Sequence, residues 1–72
     1  MLNNMKTELE KKLNKLPAFV KVDDIEYHLK ILKDNEVWYI EYCDFSLNTI
    51  LSVEHQSLQA AVDTTLKEIK NL

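Results

Sequence analysis

The sequence predicts an α+β fold, a two-layer α-β-β-β-α domain. Its sheet is a three-stranded antiparallel meander with both helices packed on one face. Three observations carry that expectation. Apolar residues step by threes and fours at both ends of the chain, they alternate with polar residues through the middle, and asparagine-bearing turns separate the alternating runs. The expected layout over 1–72 is one small domain: a helix near 2–16, strands near 25–33, 36–45 and 49–54, and a helix near 58–71.

Leu2, Met5, Leu9, Leu13 and Leu16 fall in one narrow stripe at about 100° per residue, with lysines and glutamates opposite. Pro17 stops this helix and pushes Leu16 toward extended geometry. The stripe is too short for a coiled-coil seam. Ala18 to Asp24 reads as a connector in which Phe19, Val20 and Val22 form at most a short extended piece. Ile25, Tyr27, Leu29 and Ile31 then alternate with Glu26, His28 and Lys30, the period of a half-buried strand. Asp34-Asn35 marks a hairpin turn, because asparagine tolerates the left-handed region better than other non-glycine residues.

The next run, Glu36 to Phe45, carries large apolar groups on both alternating faces. Ser46-Leu47-Asn48 turns the chain, and Leu51 and Val53 alternate with Ser52 and Glu54. Ser57 caps the last helix, whose face is Leu58, Ala61, Val62, Thr65, Leu66 and Ile69.

The double-faced run is divided by strand pairing. A hairpin with Asp34-Asn35 at its tip pairs Ile31 with Trp38, Leu29 with Ile40 and Tyr27 with Tyr42. A second hairpin pairs Tyr42 with Leu51 and Ile40 with Val53. Directly paired residues share a face, so one face of all three strands is apolar. The opposite face gathers Lys30, Tyr39 and Glu54 in one row, His28, Glu41 and Ser52 in the next, and Glu26, Cys43 and Ile50 in a third. Val37 and Phe45 flank them. In a two-layer fold this face meets water. The expected protein-binding face is therefore Val37, Tyr39, Glu41, Cys43, Phe45, His28, Lys30 and Ile50.

Composition narrows the function classes. There is no glycine, which excludes a glycine-rich phosphate loop. All nine basic residues are lysines, so bidentate guanidinium reading of bases or phosphate is absent. Net charge is −3, with the basic excess before Asp23 and the acidic excess between Asp23 and Glu54. An acidic middle repels nucleic acid and attracts a basic partner. No apolar run reaches a membrane span, and the first residues lack the apolar centre of a signal peptide. With one cysteine, no internal disulfide is expected, and the expected location is cytoplasmic.

The candidate chemistry is thin. His28 and Glu41 are expected cross-strand neighbours, but a flat sheet face supplies neither pocket nor nucleophile. Cys43 lacks the helix N-terminus or cation that would activate it. A Cys-His-Glu metal site would need a short-spaced ligand pair that the chain does not have. Asp23 and Asp24, adjacent in extended chain, point apart and read as a turn or strand start. No catalytic, metal or cofactor site is expected.

The order helix, three strands, helix is similar to a double-stranded-RNA-binding domain. The chain lacks that family's glycine-containing loop, and reads Ser57-Leu58-Gln59-Ala60-Ala61 where the family has a lysine cluster, so RNA binding does not carry over. Tyr27 to Ile69 also resembles HicB-type antitoxin domains, whose last strand runs into a helix opening much as Ser57-Leu58-Gln59-Ala60-Ala61-Val62 does. That family's Pro/Gly turn is absent here. Both likenesses concern fold, which does not fix function.

The expected function is a small non-enzymatic interaction module, a regulator or inhibitor. It would dock an unidentified protein partner, basic in character, or a second copy, through the outer sheet face or an open edge. A phage or mobile-element origin is compatible with that role. The alternative is an antitoxin-like or nucleic-acid-binding regulator led by the lysines of the first helix.

Overall fold

The structure, a computed structural model, describes residues 7–72. Its elements are α1 (Glu8–Leu13), β1 (Phe19–Val22), β2 (Ile25–Asp34), β3 (Val37–Cys43), β4 (Thr49–His55) and α2 (Leu58–Ile69). The fold is α+β, but the sheet has four antiparallel strands in the order β1-β2-β3-β4, not three. The additional strand is β1, from the segment expected to be a connector. Its four residues pair with β2 from Phe19↔His28 to Val22↔Ile25. Asp23 and Asp24 make the two-residue turn, both at positive φ (54° and 66°). Positive φ at both central positions is the twist that joins tightly paired strands, and aspartate is among the few side chains that tolerate it.

The capping box at Thr7 begins α1. The Thr7 hydroxyl accepts from the Glu10 N–H at 3.1 Å, and Glu10 Oε1 accepts from the Thr7 N–H at 3.2 Å. The helix ends at Leu13, three residues short of the expected end at Leu16, and turns lead from there to Pro17. The expected contribution of Leu2 and Met5 to its stripe lies outside the described residues. Ser57 caps α2 by accepting from the Ala60 N–H at 3.2 Å. Lys12 of α1 reaches Asp63 of α2 at 3.0 Å, linking the two helices on their layer.

The core lies between that layer and one sheet face. Leu16, Ile40, Tyr42, Leu51, Val53, Ala61 and Val62 are buried, with Leu9, Leu13, Val20, Tyr27, Leu29 and Trp38 packed around them. The one buried polar residue of the described chain, Thr65, donates its hydroxyl to the Ala61 carbonyl at 2.7 Å. The Tyr42 hydroxyl donates to the Pro17 carbonyl at 2.8 Å, tying the end of the α1 segment to the centre of the sheet.

Strand register differs from expectation in the first hairpin and agrees in the second as far as Tyr42, beyond which Cys43 faces Thr49 and not Ile50. Ile31 pairs with Ile40 and Leu29 with Tyr42, whereas Trp38 faces Lys33. The turn is Asn35-Glu36, with Asn35 at φ 56° in its first central position, one residue later than expected. Moving the tip by one residue shifts the pairing by two. Because side chains alternate with a period of two, every residue of β2 and β3 keeps its expected face. Tyr42↔Leu51 and Ile40↔Val53 stand as expected.

Candidate functional site

Pairing fixes the outer sheet face row by row. Phe19, His28, Cys43 and Thr49 form one row. Lys30, Glu41 and Ser52 form the next, and Leu32, Tyr39 and Glu54 the third. Val37 sits at the β2–β3 tip opposite Asp34. Of the expected face, Val37, Tyr39, Glu41, Cys43, His28 and Lys30 are gathered here. Phe45 joins them from the β3–β4 loop. Ile50 does not. Tyr42 pairs with Leu51 and Cys43 with Thr49, so Ile50 is the extra residue of a β-bulge. It packs against the core cluster beside buried Leu51. The signal for this was two adjacent apolar residues where strict alternation allows one.

The shift in register changes who meets whom. His28 faces Cys43, and not Glu41. Its ring lies between two phenyl groups, with centroids 5.8 Å from Phe19 and 5.0 Å from Phe45. Such separations are those of favourable aromatic pairs. Nε2 of His28 is 3.4 Å from Glu26 Oε1, but the geometry is not that of a hydrogen bond, and the buried nitrogen has no hydrogen-bond partner. Glu41 instead accepts from the Ser52 hydroxyl at 3.5 Å and lies 3.9 Å from Cys43 Sγ, which is 3.2 Å from Thr49 Oγ1. The thiol thus sits in a weak polar network with Glu41 and Thr49. Among the described residues no group of three His, Cys, Asp or Glu side chains is placed to hold a metal.

The β3–β4 loop is built around Asp44. Its Oδ1 accepts from the backbone N–H of Ser46 (2.9 Å) and of Asn48 (2.8 Å), and Oδ2 accepts from the Asn48 side-chain amide (3.1 Å). These bonds, first that of the Asn48 amide and then that of its backbone, hold the Asp44 carboxyl below its ordinary range. The stability that the Asp44 carboxylate contributes is therefore present above the ordinary carboxylate pKa and lost as pH falls through the lowered one.

On this scaffold two large apolar side chains face water. Phe45 is 88% exposed and Leu47 79%. Leu47 also holds φ at 67°, the left-handed region that a leucine occupies at a cost of about 1–2 kcal/mol. Glycine relieves that strain but loses more entropy on folding, about 0.5–1 kcal/mol. Leu47→Gly is thus expected to raise stability by about 0.5–1 kcal/mol, measured as a higher denaturation midpoint. A lower midpoint would mean that the leucine side chain stabilises the loop by packing.

Beside the loop lies an open notch of about 500 Å³, walled by Lys21, Asp24, Glu26, Asp44 and Phe45. Three carboxylates against one ammonium favour a cationic occupant, and the phenyl wall suits an aliphatic stem. Phe19 and Leu47 were not among the residues expected for this face, and Glu26, expected on it, was not among the candidate binding residues. Phe19 stands on the unexpected strand and Leu47 in a turn, where alternation gives no face assignment. Both lysines of α1 have an acidic neighbour. Lys11 approaches Glu8 at 3.6 Å, and Lys12 is held by Asp63.

Among the described residues, no helix is long and apolar enough to cross a membrane. No protein-family model matches the chain, and neither do curated proteins or solved structures. The functional reading rests on the geometry of this surface.

Proposed function

We propose that the chain is a non-enzymatic interaction module, a regulator or inhibitor that docks a protein partner through the Phe45 end of its outer sheet face. The observation that carries this reading is the pair Phe45 and Leu47. Two large apolar groups stand in water on a loop ordered by three hydrogen bonds to one carboxylate, with Leu47 strained. Exposed anchors on a pre-organised loop lose little entropy on binding. Backbone strain of this kind persists where the surroundings over-determine it, and it clusters at binding sites. The Phe19–His28–Phe45 ring stack extends the apolar patch onto the sheet. The carboxylates of the notch favour a partner that presents a lysine or arginine there. A reducing, cytoplasmic setting fits the lone free thiol of Cys43.

The test is affinity capture from the source cells with tagged wild type and the double variant Phe45→Ser/Leu47→Asn. Neither change touches the core, and asparagine suits positive φ. The variant is expected to melt like wild type yet lose the captured partner, and wild-type capture is expected to weaken with added salt. Equal recovery by both proteins would remove the loop from the binding surface.

A further inference from the structure

The sheet ends in two edges that are unequal in a way that bears on self-association. β1 is guarded. It is four residues long, carries Lys21 near its middle and follows Pro17 closely. Short length, lysine and proline are the usual devices that keep an edge from pairing with another chain. β4, at the other end of the sheet, has none of them. It runs seven residues, Thr49 to His55, with neither lysine nor proline. Its bulge at Ile50 lies near its start and leaves Leu51 to His55 in regular register. Among the described residues, no backbone hydrogen bond reaches β4 from any element other than β3. One row of its N–H and C=O groups is therefore open to a strand.

We propose that this edge takes a second copy of the chain, β4 pairing antiparallel with β4 about a two-fold axis at Ser52 to make one eight-stranded sheet. Two arguments select this occupant and this axis. An axis normal to the sheet keeps both helix layers on one side, and it requires the strand to pair about a residue, since only residues of equal parity share a face. Centred on Ser52, it sets Leu51 opposite Val53, both core-side residues, so the two apolar rows become continuous. Regular pairing on this axis runs from Leu51 to Val53, because the bulge turns Ile50, the residue that would meet Glu54, toward the core. The two Glu54 carboxylates then lie four residues apart along the pair, about 13 Å. Centring on Val53 halves that separation and sets Leu51 against His55. At the axis itself stand two uncharged serine hydroxyls. The contact is short, so association is weak and depends on concentration.

This surface is separate from the Phe45 loop, and the experiment keeps the two apart. Light scattering of the full chain over a dilution series is expected to pass from dimer to monomer. Ser52→Lys brings two ammonium groups face to face on the axis, while in the monomer the new group would face Glu41 across the β3–β4 ladder. It is expected to raise the concentration needed for dimer about tenfold or more. In a Cys43→Ser background, Ser52→Cys is expected to cross-link on mild oxidation. Paired Cα atoms at about 4.5–5.5 Å fall within disulfide range. Gln59→Cys, exposed on α2, should not cross-link. The Phe45→Ser/Leu47→Asn variant is expected to dimerise as wild type does. A monomer at every concentration would overturn the proposal. So would a dimer that Ser52→Lys leaves intact and Ser52→Cys fails to trap, or one that the loop variant abolishes.

Discussion

Tyr42→Ala is expected to leave the chain unfolded or nearly so at room temperature. The side chain is fully buried at the centre of the core. Truncating a buried aromatic costs about 3–5 kcal/mol. A domain of this size has about 5 kcal/mol of stability in total. Tyr42→Phe separates the hydroxyl from the ring. It leaves the Pro17 carbonyl without its donor at the junction of α1 and the sheet, and is expected to cost about 1–3 kcal/mol. The two variants also differ from wild type in alkali. Burial pushes the Tyr42 hydroxyl up to about 12 from its ordinary 10.0. Because the folded-state pKa is the higher one, the stabilisation is complete below the unfolded value and is lost as pH rises through the folded one. Between those two values wild type should lose up to roughly 2–3 kcal/mol from this group, at about 1.4 kcal/mol per unit. Chemical denaturation at neutral and alkaline pH reads both effects. If Tyr42→Phe shows the same alkaline loss, another group is responsible for it.

Ile40→Ser should be nearly as damaging, while Tyr39→Ser, one residue away, should be mild. Ile40 is fully buried, flanked by Ile31 and Val53 on the two neighbouring strands. Serine removes its packing and places a hydroxyl where no water reaches, a loss of about 4 kcal/mol. Tyr39 stands on the other face in a row with Leu32 and Glu54, half-buried. Its replacement should cost about 1 kcal/mol. Denaturant midpoints of the two variants would measure the contrast. Similar losses at both positions would mean that the outer face is itself covered, and that Val37, Tyr39 and Cys43 belong to a second core.

That contrast is also where the sequence was most legible. Alternation in the β2 and β4 segments, combined with pairing, was enough to assign Trp38, Ile40 and Tyr42 to one face and Val37, Tyr39 and Cys43 to the other. The assignment survives a misplaced turn because a shift of two residues preserves side-chain parity. Register itself was less legible, since it depends on whether Asn35 takes the first or second central position of its turn. β1 escaped notice for two reasons. Four residues give too few alternations to count, and a hairpin closed by Asp23-Asp24 lacks the glycine or asparagine that usually marks one. Ile50 was misplaced because a bulge breaks the period on which its assignment rested. Of the candidate surface, the sheet residues were readable by parity. Phe45 was placed there by the same alternation, but Leu47 was not, because turn geometry decides where its side chain points.

The order β1-β2-β3-β4 has a kinetic meaning. Every ladder joins strands adjacent in sequence, so each hairpin can zip from its own turn without closing a long loop first. The Lys12–Asp63 pair is different, spanning 51 residues. The docking of α1 on α2 is the step that must wait for the rest. Substitutions in the β2–β3 hairpin are therefore expected to slow refolding, with φ-values well above those of Lys12→Ala or Leu13→Ala, which should act mainly on unfolding. High φ-values in α1 would reverse that order. If the order holds, the first helix is a late clasp, and its release is the lowest-lying opening of the native state.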